Sequence, residues 1–365
     1  MTPQRMTPQR NASPNHPLRL SQLALLIQLL MCGGLAHAQA ADTEDPAQKL
    51  PAIEVRDQRA DGYTQTQSSA ATGLELGLRE TPQSVSVITS QRMRDQQTRT
   101  VGQALEQVSG LTTTHNDDNR KEISSRGFQV ENFQLDGNLL VSDNVRPDLG
   151  LAAIYERIEI TKGATGLLSG TGDPSATVNL VRKRAHRRQF SAELDAEVGS
   201  WKNLGLAADI AAPLSADGSV RSRWVLAHER GEGFRDLKKD RLLTLYGTVE
   251  ADLSASTRLS VGLSHESKQT DGAFWGSLPF YFSDGTRTNW RRSQTTAARW
   301  NRWNLHQTNA FAELDHTLAN GWQWRSSLNY TRKYERSNLL WVSEAPDRHT
   351  GQGMKGEPYF WKQTP

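Results

Sequence analysis

Apolar and polar residues alternate along most of the second half of the chain. In residues 190–198, apolar positions such as Phe190, Leu194 and Val198 are separated by polar ones such as Glu193. A period of two predicts a β-strand with one apolar and one polar face. Six further segments show this period: 204–212, 220–229, 243–253, 259–265, 310–318 and 322–330. The pattern predicts about seven to eight strands in residues 186–365.

The connections between these strands alternate in length. Segments 215–218, 254–257 and 319–321 are short, whereas 231–240 and 269–306 are long. Short turns on one side and long loops on the other are typical of an antiparallel transmembrane β-barrel. A soluble sandwich is the alternative, but it does not bury faces lined by Glu, Asp and Arg. We therefore expect the first strands of an incomplete barrel.

Residues 80–185 have a different pattern. Residues 85–88 alternate as a short strand, Ser90 is a candidate cap for a polar helix, and Thr100 for a helix over 101–108 that ends at Gly110. Two β-branched segments, 154–160 and 177–181, flank a run of glycines. These elements predict a small α+β domain.

The first 40 residues have the organisation of a signal peptide. A basic region is followed by the apolar run 23–35 and by Ala36-His-Ala-Gln-Ala40, a candidate cleavage site. Cys32, the single cysteine, lies inside this segment, so the mature chain has no thiol for disulfides or metal binding. Acidic and basic residues are interleaved, and the pattern indicates no nucleic-acid partner.

Six blocks in the predicted α+β domain resemble, in their order, the plug domain of TonB-dependent ferric-siderophore receptors. The ferripyoverdine, ferrichrome and coprogen receptors are the subgroup with the strongest resemblance. The blocks are Glu80-Thr-Pro-Gln-Ser-Val-Ser-Val-Ile-Thr89, Ser125-Arg-Gly-Phe128, Phe133-Gln-Leu-Asp-Gly137, Glu156-Arg-Ile-Glu159, Lys162-Gly-Ala-Thr-Gly-Leu-Leu168 and Val178-Asn-Leu-Val-Arg-Lys-Arg184.

The resemblance implies a domain order. A signal peptide (1–40) precedes a periplasmic N-terminal segment with a TonB box (41–79), a plug (80–185) and the start of a barrel (186–365). Such barrels close with about 22 strands, so the chain is expected to be an N-terminal fragment.

The resemblance also implies a function. It is TonB-dependent uptake of a ferric siderophore across the outer membrane of a Gram-negative cell, with TonB and its inner-membrane motor complex and outer-membrane lipid as partners. Iron is carried inside the siderophore, so no cofactor and no enzymatic activity are expected. Receptors for haem, cobalamin or a glycan remain alternatives, as does a secreted structural β protein.

The short alternating island 50–56 interrupts a polar, proline-containing segment. By position it resembles the TonB box, with Ile53, Glu54 and Val55 as the candidate TonB-binding residues. Such a segment adds as a strand to the edge of a partner sheet, and its backbone hydrogen bonds supply the affinity.

Candidate ligand contacts are aromatic and basic, because aromatic rings stack on planar chelates and arginine pairs with anions. An aromatic girdle at the membrane interface is the alternative for the same rings. The candidates are Arg146, Phe274, Trp275, Trp290, Arg291, Trp300 and Trp303. The sequence shows neither a cluster with metal-ligand spacing nor a nucleophile beside a base, so no metal site and no catalytic residue are predicted.

Charged residues also lie among the apolar positions of the plug. Glu156 and Glu159 point to opposite faces of a strand, which argues against a catalytic pair. We expect breakable salt bridges that fix the plug within its barrel wall instead. The candidates are Arg126, Glu156, Arg157, Glu159 and Lys162.

Overall fold

The computed structural model describes residues 62–63, 65–68, 76–140, 149–163 and 174–363. We call the described residues of 76–185 the plug and residues 191–363 the wall. None of the helices in these ranges is long and apolar enough to cross a membrane.

A five-stranded sheet forms the centre of the plug, in the order β3-β9-β10-β7-β8. Strands β10 and β7 are parallel, and the other neighbours are antiparallel. The strands are β3 Ser84–Thr89, β7 Asn132–Leu135, β8 Asn138–Leu139, β9 Tyr155–Lys162 and β10 Ala176–Arg182, and a 3-10 helix, Ala152–Ile154, precedes β9. Two smaller sheets accompany it among the described residues. The first consists of β1 Gln67–Ser68 and β2 Leu76–Gly77. The second consists of β4 Leu111–His115, β5 Lys121–Ser125 and β6 Phe128–Gln129.

Two short helices pack beside this sheet, α1 Ser90–Asp95 and α2 Val101–Glu106. Thr89 caps α1, since its Oγ1 accepts a hydrogen bond from Arg92 N at 3.2 Å. The prediction of Ser90 as the cap is wrong, because Ser90 is already the first helical residue. Thr100 caps α2, as the sequence predicts, and forms a capping box with Gln103; the helix ends at Glu106, two residues earlier than predicted.

The plug core also includes side chains of the wall. Ile158, Ile160 and Val178 are completely buried between the helices and the wall. Tyr246 and Phe311 of the wall belong to the same apolar cluster. The plug therefore packs directly on one face of the wall.

The wall is a single sheet of eight strands in sequence order, all antiparallel. This confirms the predicted fold class, a plug followed by an incomplete barrel. The strands are β11 Ser191–Gly199, β12 Asn203–Pro213, β13 Val220–Glu232, β14 Lys239–Ser254, β15 Thr257–Asp271, β16 Arg302–Thr317, β17 Gln323–Ser343 and β18 Lys355–Gln363.

The two faces of the wall differ as the alternation predicts. Leu194 and Val198 are 80% and 82% exposed on the apolar face. Thr244, Thr248 and Glu250 are buried on the polar face, which the plug covers. The sequence underestimates β17 and gives no signal for β18, because charged residues interrupt the alternation after residue 330.

Candidate functional site

A two-residue turn in the plug holds a carboxylate beside the end of β10. Asp136 and Gly137 connect β7 to β8 with φ angles of 50° and 81°, the type I′ geometry that Asp-Gly favours. The Asn179 side chain accepts a hydrogen bond from Gly137 N at 2.9 Å. The backbone N–H of Asp136 donates to Leu180 O at 2.9 Å. The turn is therefore fixed on β10.

Arg182, the last residue of β10, is 2% exposed. Its backbone N–H and its Nε donate to the two carboxylate oxygens of Asp136, at 2.8 Å and 2.6 Å. Its Nη1 donates to Asn309 Oδ1 at 2.8 Å, and its guanidinium carbon lies 3.6 Å from the centre of the Phe311 ring. Since Asn309 and Phe311 are on β16, this side chain joins the plug to the wall.

The next two residues extend the connection to two wall strands. Lys183 Nζ lies 2.7 Å from Asp209 of β12. Arg184 Nη2 lies 2.7 Å from Glu313 of β16 and 3.5 Å from Asp136. We call this set the triplet cluster: Arg182, Lys183 and Arg184 with Asp136, Asp209 and Glu313.

Burial and pairing act in opposite directions on the pKa values of the cluster. Burial alone would raise the pKa of the Asp136 carboxyl, but the charges of Arg182 and Arg184 hold it below its ordinary value of 3.8. For Lys183, burial prevails over the charge of Asp209 and lowers the pKa. The two arginines therefore keep Asp136 charged in a buried position.

A second ionic contact lies at the helices of the plug. Arg99, just before α2, pairs with Glu197 of β11 and, at 2.8 Å, with Glu229 of β13. Arg94 of α1 lies 3.4 Å from Glu193 of β11. The acidic face that the sequence predicts for residues 190–198 thus meets the basic residues of the plug helices.

The five charged plug residues named from the sequence lie in different surroundings. Glu156 reaches the wall, 3.5 Å from Arg223 of β13. Arg157 pairs with buried Glu159 at 2.6 Å within β9 itself. Among the ion pairs of the described residues, these are the two that involve any of the five. Arg126 packs beside Gly163, and Lys162 lies near Gly110.

Asp118, in the plug loop between β4 and β5, contacts two loops of the wall. Its carboxylate pairs with Arg235 and, at 2.9 Å, with Lys238, both in the β13–β14 loop. It also accepts a hydrogen bond from Phe274 N at 2.7 Å, in the β15–β16 loop. We call Asp118, Arg235, Lys238 and Phe274 the loop contact.

Two of the candidate ligand residues begin the β15–β16 loop. Arg235 lies 4.9 Å from the centre of the Phe274 ring. The Trp275 ring lies 5.2 Å from Trp341 of β17 and 5.0 Å from Tyr359 of β18. The structure therefore places Trp275 in a cluster of three aromatic rings next to the loop contact.

Two further candidates lie in the middle of the same loop. Trp290 Nε1 donates to Pro279 O at 2.8 Å, which folds the loop on itself. Arg291 is 75% exposed and lies 3.6 Å from Asp236 of the β13–β14 loop. Trp290 therefore has a structural contact within the loop, and Arg291 is open to solvent.

The last two aromatic candidates differ in exposure. Trp300 is 41% exposed and stacks 5.9 Å from Phe360 of β18. Trp303 is 3% exposed, packs with Leu149 and Leu339, and donates from Nε1 to Glu335 at 2.7 Å. Trp303 thus contributes to packing where the plug meets the wall.

Four of the predicted site residues lie outside the described residues: Ile53, Glu54, Val55 and Arg146. Within the described ranges there is no group of three or more His, Cys, Asp or Glu residues able to hold a metal ion.

Sequence reasoning missed the acidic partners of the triplet cluster and the loop contact. The signal for the first was present, because Asp209 and Glu313 occupy polar positions of alternating strands. The signal for Asp118 was weaker, since it lies in the polar run 116–122 without periodicity. Trp341 and Tyr359 follow the last strand that the alternation predicts.

Comparisons with known proteins agree with this geometry. Residues 77–177 match the family model described as the TonB-dependent receptor plug domain. The ferripyoverdine receptor of Pseudomonas aeruginosa is 36% identical over 273 residues, which are 73% of this chain and 33% of the relative. The ferric-pyoverdine 358 receptor of Pseudomonas putida is 38% identical over 275 residues, 73% of this chain and 33% of the relative.

Solved structures show the same fold. The crystal structure of the ferripyoverdine receptor of Pseudomonas aeruginosa bound to ferripyoverdine has a TM-score of 0.78 at 33% identity, covering 83% of this chain and 41% of that one. The alcaligin outer-membrane receptor of Bordetella pertussis has a TM-score of 0.63 at 32% identity, covering 84% and 53%. The chain spans about a third of the length of the curated relatives above.

Proposed function

Because this chain carries the plug domain of the TonB-dependent receptors, we propose that the protein takes up a ferric siderophore of the pyoverdine type across the outer membrane. The observation that carries the proposal is the identity of 36% and 38% to two pyoverdine receptors, which extends beyond the plug into the wall. The iron is cargo inside the siderophore.

We propose that the ligand binds above the plug, against the β15–β16 loop. Phe274, Trp275 and Trp300 offer aromatic faces for a planar chelate, and Arg146 and Arg291 offer charge. Trp290 and Trp303 complete the set that the sequence predicts. Their contacts with Pro279 and Glu335 support a role in shaping the loop and its base.

The proposed coupling segment is the island around Ile53, Glu54 and Val55, which adds as a strand to a sheet edge of TonB. TonB and its inner-membrane motor then supply the force that shifts the plug. In this scheme residues 1–40 are the signal peptide, 41–79 the coupling segment, 80–185 the plug and 186–365 the beginning of the barrel.

The experiment measures uptake of iron-55 from ferric pyoverdine by cells that lack other pyoverdine receptors and express this receptor with its complete barrel. We expect uptake with ferric pyoverdine and none with haem or cobalamin. Absence of uptake from every pyoverdine tested would contradict the proposal. A metal-pseudopaline receptor of Pseudomonas aeruginosa is 31% identical over 226 residues, so metal-pseudopaline is the second ligand to test.

Proline substitutions test the coupling segment, because proline removes the backbone N–H that strand addition requires. We expect Ile53→Pro and Val55→Pro each to abolish uptake while binding of ferric pyoverdine to the cell surface persists. Ala60→Pro, in the same segment but outside the island, is the matched control and should retain uptake. Uptake that survives both changes within the island would place the coupling segment elsewhere.

A further inference from the structure

The plug loop that carries Asp118 is the point where two loops of the wall meet. Asp118 and Phe274 are linked in both directions, since Phe274 N donates to the carboxylate at 2.7 Å and Asp118 N to Phe274 O at 3.4 Å. Lys268 Nζ lies 3.4 Å from Asp118 O. The start of the β15–β16 loop, which we call the aromatic loop, is thereby attached to the plug backbone.

The base of the aromatic loop is closed on its other sides as well. Gly272 N donates to Asn301 O at 2.9 Å, and buried Asn301 donates from Nδ2 to Ala273 O at 2.9 Å. Gly272 has a φ of 60°, and a Cβ there would overlap the backbone of Leu237 in the β13–β14 loop. Both wall loops are therefore in direct contact where they reach Asp118.

The charge balance at this point depends on Asp118. The carboxylate side chain is 1% exposed, and Arg235 and Lys238 are 21% and 20% exposed. Lys238 has a second acidic neighbour, Asp240 at 3.3 Å. Arg235 also lies over Phe274. Without the Asp118 charge, both largely buried cations would lose their shared partner and Lys238 would keep only Asp240, which favours separation of the loops.

We propose that Asp118 is a positioning residue that holds the β13–β14 and β15–β16 loops against the plug in the arrangement that receives the ligand. The inference rests on the proposed function, because it assigns the ligand to the aromatic loop. Asp118 joins that loop to the plug, so displacement of the plug loop releases Phe274 and loosens the loop above it.

An experiment without ligand tests whether Asp118 holds the aromatic loop against the plug. A single cysteine introduced by Ala297→Cys, at a buried residue of the aromatic loop, is labelled with a membrane-impermeant maleimide on intact cells that express the receptor. We expect Asp118→Asn to increase the labelling rate about tenfold, because hydrogen bonds to charged groups hold the loop closed. The asparagine keeps an acceptor for Phe274 N but not the charge.

A double-mutant cycle separates direct pairing from general loosening. Arg235→Gln should increase the labelling rate to a similar degree, and the double variant should be no faster than Asp118→Asn alone. Asp217→Asn is the matched control, since this carboxylate is exposed and its hydrogen bonds are to Ser215 and Ser219 in its own turn, away from both loops. It should leave the rate unchanged.

Two results would show that Asp118 does not hold the aromatic loop in place. A rate for Asp118→Asn within about twofold of the parent overturns the proposal, as does full additivity with Arg235→Gln. If Asp118→Asn lowers the amount of receptor in the membrane, the labelling rate of Arg235→Gln is compared with that of the parent instead. A rate within about twofold of the parent then overturns the proposal.

Binding of ferric pyoverdine is measured on the same cells. Faster labelling of the Asp118→Asn variant in a receptor that binds no pyoverdine supports the positioning role of Asp118 and contradicts the proposed function. Unchanged labelling in a receptor that binds and transports pyoverdine overturns the inference and leaves the function standing.

Discussion

The triplet cluster and the loop contact both join the plug to the wall through ion pairs, but they are built differently. In the cluster three cations of the plug face three carboxylates, and the two wall carboxylates, Asp209 and Glu313, lie on strands β12 and β16. In the loop contact one carboxylate serves Arg235 and Lys238. Those partners lie in loops, which have fewer backbone bonds to hold them.

The difference indicates a division of roles. Buried, paired charges fix the plug, and Arg182 matters most among them, because without it buried Asp136 keeps only Arg184, 3.5 Å away. Under the proposed function, a single carboxylate between loops allows the β15–β16 loop to rearrange while the plug stays in place.

Arg182→Ala should destabilise the plug by about 3–5 kcal/mol, since it leaves buried Asp136 without its main partner. It also removes the contacts with Asn309 and Phe311. The measurement is urea-induced loss of protease protection of the plug in receptor-containing membranes. Arg188→Ala is the control, because this side chain is 65% exposed and 3.8 Å from Asp252. An equal effect of both changes would contradict the role of the cluster.

Gly262→Ala should cost about 1–3 kcal/mol in the same assay, the usual penalty for overpacking. A Cβ at Gly262 would meet the Phe311 ring and the backbone oxygen of Gly247, and the latter is unable to move aside. Gly205→Ala is the matched control on another wall strand, where the nearest atom would be 3.6 Å away. Equal stability of the two variants would show that Phe311 has room to shift.

Acid should weaken the cluster through Asp136. Its folded-state pKa is below the ordinary 3.8, so its contribution to stability is present above pH 3.8 and is lost as the pH falls through the lower value. The measurement is plug stability against pH for the parent and for Asp136→Asn. We expect the difference between them to shrink below pH 3.8; a difference that grows there would contradict the pairing with Arg182.

Tyr246→Phe should have the smallest effect, about 1 kcal/mol. The hydroxyl donates to Lys183 O at 2.6 Å, and the ring stays in the apolar cluster of the plug. Urea unfolding of the plug measures the loss. A cost as large as that of Arg182→Ala would show that the backbone after β10, rather than its side chains, carries the attachment.

The sequence predicted the regular helices and strands because the alternation and the caps that define them involve only residues close together in the chain. Strand β11 and the capping box of Thr100 depend on neighbours within a few residues. Side-chain partners such as Arg182 with Asn309 are 127 residues apart, and no local pattern encodes them. Strand β18 was missed for a related reason, since its pairing with β17 and not its own alternation defines it.

The candidate site shows the same limit. Aromatic and basic composition predicted ligand contacts in the loop that holds Phe274 and Trp275, and this stays a prediction. It gave no indication that Asp118, far earlier in the chain, would hold that loop. Trp303 has the same composition signal as Trp300, but only the packing shows it buried in the wall.

The most direct test compares the dissociation constant of ferric pyoverdine for one variant from each contact, Asp118→Asn and Arg184→Gln, on de-energised cells. Arg184→Gln leaves Asp136 paired with Arg182, and Glu313 within 3.4 Å of Arg325, so the plug remains in place. We predict that Asp118→Asn raises the constant about tenfold and that Arg184→Gln leaves it within about twofold of the parent. Equal shifts in both variants, or a larger shift in Arg184→Gln, would contradict the division between the loop contact and the triplet cluster.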